Sequence, residues 1–403
     1  MKKLLLVAFS LLVGLVVVNC KKDVTPSYEM KIVLAYPQGF NLAPIPAGVE
    51  VKITNTQTGR ETIAIADATG TATVTLVEGN YDIKSNFTVK VDTDEYIFNG
   101  IQSNYMLTKI ASLTMNLVLA DNTGGFILKE VYFAGSRTPD AKSYYSDQFH
   151  EIYNNTNDTL YADGLCLGVM QQTPTNPNVW LKTDGTFMDE LPLTYHVWMV
   201  PGTGKQKPVY PGKSIVIAMD GINHKGDPNG NPTSPVDMSK AEYETYVDAG
   251  GNDLDAPAVP NLTMMYTTST SMYDWIHSVF GAGVVIFRLP TDWQSYVANA
   301  ANFKTVPGST SSTKYFMIDK KYVIDAVEIV QADPTKRNKR LHTSLDAGYT
   351  YLDGGTYCSK SIRRKAKAVV SGRVIYKDTN NSSNDFLHDL TPTPWVNPTA
   401  VEN

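Results

Sequence analysis

VEVKITN, residues 49–55, decides the fold class. Val49, Val51 and Ile53 fall on one side of an extended chain, and Glu50, Lys52 and Thr54 on the other, because successive side chains of a strand point to opposite faces. TATVTLVEGNYDI (71–83) repeats the pattern, with Ala72, Val74 and Leu76 alternating with Thr71, Thr73 and Thr75. Turn formers separate these runs, Asp67-Ala68-Thr69-Gly70 before the second and Glu78-Gly79-Asn80 inside it. Leu113, Met115, Leu117 and Leu119 form a last alternating run. Short alternating strands between turns predict an all-β sandwich over residues 28–120.

Beyond it, Asp121-Asn122-Thr123-Gly124-Gly125 reads as a linker. GFILKEVYFAGS (125–136), DQFHEIYNNTNDTLYADGLCL (147–167), VYPGKSIVIA (209–218), GVVIFRL (283–289) and VIDAVEIV (323–330) read as further strands. Two capping boxes predict short helices: Ser239 with Glu242 before Tyr243, Tyr246 and Val247, and Thr291 with Gln294 beside Trp293, Tyr296 and Val297. Residues 221–236 are a Gly/Pro/Asn-rich loop. The tail TPTPWVNPTAVEN (391–403) is expected to be extended and loosely held. The chain is therefore expected to be mainly β, with two Ig-like sandwich domains, 28–120 and 121–403. The second would carry a loop-helix insert at about 220–280.

The leader MKKLLLVAFSLLVGLVVVNCKKD sets an address. Lys2 and Lys3 precede a short apolar run, Leu4–Val18, which fits a secretory signal over 1–19 better than a membrane span. Cys20 follows in a context that resembles a bacterial lipobox, with Asn19 where a small residue is usual. The resemblance implies lipidation of Cys20, a tether over 20–27, and anchoring at the outer membrane, on the cell surface or the periplasmic face. Each buried methylene of an acyl chain would contribute about 0.8 kcal/mol. Loss of Lys2 and Lys3 with the leader would take the formal charge from -5 to -7. That charge excludes a general electrostatic grip on nucleic acid. Cys166 and Cys358 either pair outside the cytoplasm or, as Leu165-Cys166-Leu167 equally suggests, leave a buried thiol.

Catalytic signals are sparse. The histidines at 150, 196, 224, 277, 342 and 388 are scattered without an HExxH pattern, and no GxSxG or phosphate-loop motif occurs. Asp325 and Glu328 are close in sequence, but a glycosidase pair must converge across a cleft. For the basic runs 336–340 and 363–367, binding of anionic glycan, lipopolysaccharide phosphate or nucleic acid is weighed against the favoured reading, a solvated loop for the first and partners for acidic side chains for the second. Tyr266, Tyr273 and Trp275 are the candidate ligand contacts, on or beside the insert.

KDTNNSSNDF (377–386) is the most polar stretch. Asp378, Asn380 and Ser382 match the first oxygen positions of an EF-type loop, but Ser383 stands where that loop needs glycine. An irregular Ca2+ site would use Asp378, Asn380 and Asp385. The favoured reading is a hydrogen-bonded turn network whose carboxylates receive Arg363 or Arg364, with no cofactor.

TGR (58–60), DATG (67–70) and EGNYDI (78–83) resemble carboxypeptidase-regulatory-like, transthyretin-like modules. EIYNN (151–155), YADGL (161–165), YPGKSIVIA, VIDAVE and SIRRK…DTNNSSNDF resemble, in order, lamin-tail-like domains. Through INHKGDPNGNP (222–232), DAPAVPNL (255–262), DAGYTYLD (346–353) and RVIYKDTNNSSNDF (373–386), the chain is similar to an uncharacterised family of Bacteroidetes outer-membrane lipoproteins. The resemblance implies fold, address and association with a TonB-dependent transporter, and the family has no assigned activity. The expected role is a non-catalytic binding or structural accessory at the outer membrane, partnering such a transporter in nutrient uptake, with a glycan or peptide as ligand. The alternatives are a surface hydrolase with its site at 221–280, and a structural adhesion or matrix protein.

Overall fold

The computed structural model describes residues 25–92, 94–119, 125–171, 173–248, 253–269, 272 and 277–403. The leader, Cys20, Tyr273 and Trp275 lie outside the described residues.

Residues 25–119 form a β-sandwich. Ser27–Ala35 lies between Thr71–Val77, antiparallel, and Ala111–Asn116, parallel. The facing sheet runs Glu61–Ile65, Glu50–Asn55, Gly79–Val91, Asp94–Leu107, Val118–Leu119. The alternation fixes the register. Val51 and Ile53 are buried with Met30, Ile32 and Ala72, while Glu50 and Lys52 are exposed. A one-residue slip would turn those apolar side chains to water, at about 1.5–3 kcal/mol for each large one.

Residues 125–403 build a larger sandwich. One sheet, among the described residues, runs Tyr243–Glu244, Ser214–Ala218, Phe149–Asn154, Phe126–Tyr132, Ser361–Arg364, Phe386–Leu390. The other runs Phe303–Thr305, Lys314–Asp319, Glu190–Met199, Cys166–Met170, Gly283–Phe287, Val323–Glu328, and Thr263–Thr267 also pairs with Glu190–Met199. Leu128, Phe149, Leu167, Trp198 and Ile286 pack together from both sheets. The outer faces are covered too, one by Trp293, Tyr296 and Leu341 over Cys166, Phe287 and Phe316, the other by Val374 and Tyr376 over Ile127 and Tyr153. Phe126–Tyr132 and Phe149–Asn154 are consequently buried at every position, so period-two alternation is absent there.

Those doubly covered strands hold Lys129, Glu130, His150 and Glu151, all fully buried. The C-terminal tail, expected to be loose, is what covers the charged ones. Lys129 Nζ lies 2.7 Å from Glu151 Oε1 and 2.8 Å from the Val396 carbonyl. The Thr393 N–H donates to Glu130, and Trp395 donates through its backbone to Glu151 and through its indole to Glu242. Glu402 accepts both ends of the Arg363 guanidinium at 2.9 and 2.6 Å. A run that looks disordered by composition is held because buried charges need partners. Burial pushes the Glu130 carboxyl up to about 7, and the Glu151 charge adds to the shift.

The first expected helix is absent. Asp237 accepts from the Ser239 N–H and hydroxyl, and Glu242 accepts from Val216 N–H and Trp395, so neither box residue caps a helix. Tyr243–Glu244 instead adds a short parallel strand to Ser214–Ala218. The second helix forms at Trp293–Ala298, capped by Asp292 rather than Thr291.

His150 and His277 meet at 3.0 Å, nitrogen to nitrogen, with both rings fully buried. Burial holds His277 down to about 3. The unfolded chain protonates this imidazole below about 6.5 while the folded chain does not, so its contribution to stability is lost as pH falls from 6.5 towards 3. Urea unfolding of His277→Asn should therefore show a stability deficit against the parent at pH 7.5 that narrows at pH 5.

Cys166 and Cys358 are free thiols among the described residues. Cys166 packs with Met265 beneath the seven-stranded sheet, whereas Cys358 sits at the edge of the main core. Burial pushes the Cys166 thiol up to about 12, so little nucleophilic thiolate exists at neutral pH. Peptide mapping after iodoacetamide treatment should find Cys166 unmodified in the folded protein and modified in urea.

Candidate functional site

The polar stretch 377–386 forms the joint between the two sandwiches. Asp385 folds back on its own loop, accepting from Thr379 Oγ1 at 2.8 Å and from the Thr379 and Asn381 N–H groups at 2.8 and 3.3 Å. Asn380 takes a left-handed backbone, φ 50°, which asparagine tolerates, and donates to the Ser344 carbonyl. Arg364, fully buried, reaches Asp325 at 2.6 Å, Asp378 at 3.1 Å and Asp385 at 3.4 Å, and donates through Nε to the Leu128 carbonyl. Arg363 turns instead to Glu402. Burial raises the Asp325 and Asp385 carboxyls although Arg364 pulls them down, and the Asp378 charge raises both further. A cation held by Asp378, Asn380 and Asp385 would sit beside the Arg364 guanidinium, which already engages two of the three.

The other side of this loop meets the first sandwich. The Asn99 amide donates to the Thr379 carbonyl at 2.6 Å and its oxygen accepts from Asn381. Lys84 donates to Ser383 Oγ, and Tyr349 OH donates to Asp82. Gly348 permits the approach, since a Cβ there would lie 2.1 Å from Asn381 Oδ1.

Beside the joint opens a cleft of about 410 Å3 with walls from both sandwiches. Cations and rings alternate along it. His388 stacks on Tyr351 at 5.0 Å, Arg337 lies 4.4 Å from the Tyr351 ring and 5.6 Å from that of Tyr349, and Lys84 stands 3.7 Å over Tyr349. Arg337 is positioned by the Gln331 and Ala332 carbonyls, which accept from Nε at 3.1 Å and Nη2 at 2.6 Å. Burial pulls Lys84 down to about 8, with the Asp82 charge opposing. Thr350, 3% exposed, lines the cleft, and its hydroxyl has no hydrogen-bond partner among the described residues. Arg337 also borders a second junction cleft of about 660 Å3, with Phe187 and His342. A third, about 590 Å3, is bordered by Leu119, Gly125 and Asp378.

Tyr266 lies elsewhere, stacked on Phe316 at 5.5 Å, with its hydroxyl on the Lys314 carbonyl. The basic run 336–340 divides. Lys339 and Arg340 are buried on backbone carbonyls, Lys336 pairs with Asp333, and Arg337 alone lines this cleft. Lys84, Tyr349 and Tyr351 were not singled out from sequence; Arg337 entered only within the basic run 336–340, and His388 only among the scattered histidines. The nearest signal was DAGYTYLD, whose two tyrosines are spaced for one face of an extended segment.

Asp325 and Glu328 do not form a catalytic pair. Asp325 serves Arg364, and Glu328 accepts from the Arg340 and Leu341 N–H groups. Within the insert, Asn231 donates to Ser136, and Ser234 joins Tyr132 and Ser136 as hydroxyl donors to buried Asp147. Burial pushes Asp147 up to about 6, and its three hydroxyl partners act to hold it down. His224 meets the Tyr144 hydroxyl at 2.8 Å. These groups fasten the insert. Asp353, His388 and Asp389 bring potential ligand atoms within 4.8 Å of one another, yet Asp389 already accepts from the Asp353 N–H and faces His388.

Fold and site together define a two-sandwich β protein with a polar cleft at the domain joint. Residues 210–393 match the family model described as Protein of unknown function (DUF4876). The crystal structure of a DUF4876 family protein from Bacteroides thetaiotaomicron VPI-5482 is similar, with 27% sequence identity, coverage of 93% of this chain and 99% of that one, and a TM-score of 0.60. A DUF3823 family protein from Parabacteroides merdae ATCC 43184 is 11% identical over 37% of this chain and 68% of its own, with a TM-score of 0.18. No curated protein matches the chain.

Proposed function

We propose that this chain is a non-catalytic binding accessory of the bacterial outer membrane, lipidated on Cys20 and working beside a TonB-dependent transporter in nutrient uptake. The first sandwich serves as a carboxypeptidase-regulatory-like spacer and the second as a lamin-tail-like core. One observation carries the binding role. The Asp325, Glu328 and Asp147 carboxylates are committed to internal partners, whereas Arg337, Tyr351 and His388 face a cavity. The similarity to a Bacteroides protein over nearly the whole chain supports a two-sandwich unit. Mild-detergent pull-down from outer membranes should recover a TonB-dependent transporter with the parent chain and lose it for Cys20→Ala. Turnover of a glycan or peptide panel by the purified chain would overturn the non-catalytic reading.

A further inference from the structure

We infer that the junction cleft binds the oxyanion of a small acidic saccharide, with Arg337 of the second sandwich and Lys84 of the first supplying the charge. The inference rests on the binding-accessory reading and names its ligand class.

Two cations from different domains converge on one cavity, and neither is neutralised there by an ion pair of its own. Arg337 spends Nε and Nη2 on carbonyl oxygens, which fix its plane without cancelling its charge. Lys84 donates to a hydroxyl and lies over a ring. Of the two acidic side chains in the lining, Glu61 pairs with Lys52 at 3.4 Å, while Asp82 accepts from the Tyr349 hydroxyl and the Asn104 N–H and its charge acts on Lys84, which leaves Arg337 as the stronger anchor for an anion. An entering carboxylate, sulfate or phosphate ester meets a positioned guanidinium, so little side-chain freedom remains to be lost on binding.

The carrier of the anion follows from the rest of the cavity. About 410 Å3 falls in the range of small-molecule sites and far exceeds what a bare ion fills. Its lining is hydroxyl- and amide-rich, with Pro334 and Phe386 as its apolar side chains outside the rings. Thr54, Thr56, Ser382 and Ser383 bring hydroxyls to the lining and Asn55 brings an amide. A polyhydroxylated carrier meets these demands. A fatty acid does not, for want of apolar wall, and a cationic peptide would face Arg337 and Lys84.

Calorimetric titration of the full chain in detergent tests this with tetragalacturonate, a sulfated disaccharide, glucose 6-phosphate, neutral maltotetraose and inorganic phosphate. At least one acidic saccharide should bind, more weakly at higher salt. Arg337→Met and Lys84→Met should each weaken it about tenfold or more, with melting curves confirming the fold. Because these residues come from different domains, damage to one wall leaves the other variant informative. Equal binding of maltotetraose, or unchanged affinity in both variants, overturns the acidic class and leaves the binding reading standing. Inorganic phosphate binding as tightly as any saccharide overturns the saccharide carrier. Failure of all three acidic saccharides to bind overturns the inference, and a transporter still recovered by pull-down then keeps the accessory role.

Discussion

Arg364→Met should destabilise the second sandwich by about 3–5 kcal/mol, the usual cost of removing one partner from a buried charge cluster. The guanidinium is fully buried and sits among Asp325, Asp378 and Asp385, so its loss strands the buried Asp325 and Asp385 carboxylates, while Asp378 is partly exposed. The midpoint of thermal unfolding should fall on the order of 10 °C for a domain of this size. The deficit should shrink as pH falls. Carboxyls whose folded pKa is raised bind more protons folded than unfolded, so stability declines as pH rises from about 4 through the raised value. Asp325 and Asp385 are both raised, by burial above all, and removing Arg364 raises them further. Urea unfolding at pH 7.5 and pH 5 reads both effects. A loss under about 1 kcal/mol would remove Arg364 as the fastening of the 377–386 loop, far below the buried-pair range. Because the same loop holds Asn99 and Lys84, scanning calorimetry of the variant should resolve two transitions, one for each sandwich.

Deleting residues 391–403 should cost a comparable amount, about 3–5 kcal/mol. The tail supplies the Val396 carbonyl to Lys129, the Thr393 N–H to Glu130 and the Trp395 N–H to Glu151. Without it, three fully buried charges lose partners at once, and the part of the six-stranded sheet around Lys129 and Glu151 opens to water, while Val374 and Tyr376 still cover Ile127 and Tyr153. Glu402→Gln is the graded version. Its fork with Arg363 is partly exposed, at 22% on the glutamate side, so about 1 kcal/mol is expected. Truncation should also increase binding of a hydrophobic dye. A truncated chain that melts with the parent would show that the tail adds nothing to the fold.

Much of the first sandwich was legible because its strands bury one face. Val51 and Ile53 turn inward while Glu50 and Lys52 stay in water, and period-two alternation records that division directly. The second sandwich was legible only in part, since Glu190–Met199, Thr263–Thr267 and Lys314–Asp319 were not read as strands and the layers were not read at all. Nothing local to Lys129, Glu130 and Glu151 shows that a tail more than two hundred residues later in the chain will cover them. The capping box at Ser239 failed for a related reason. Glu242 had a stronger use, taking the Val216 N–H at the sheet edge and the Trp395 indole, and tertiary partners override a local propensity worth about 1 kcal/mol.

The site shows the same division. Asp378, Asn380 and Asp385 stood out as a dense polar loop, and the sequence narrowed them to a fastening that meets Arg363 or Arg364. Which arginine enters depends on side-chain direction. Adjacent residues of a strand face opposite ways, and here Arg364 points to the buried carboxylates while Arg363 points to the tail. The cleft was invisible, because Lys84 comes from one sandwich and Arg337, Tyr351 and His388 from three separate parts of the other. By itself the sequence determined a mainly β chain, many of its strands and the polar character of its closing loop, since these follow from patterns within a few residues. The covering of both sheet faces, the choice of arginine and the convergence of cations at the joint were decided by tertiary structure alone, because each depends on residues brought together across long stretches of chain.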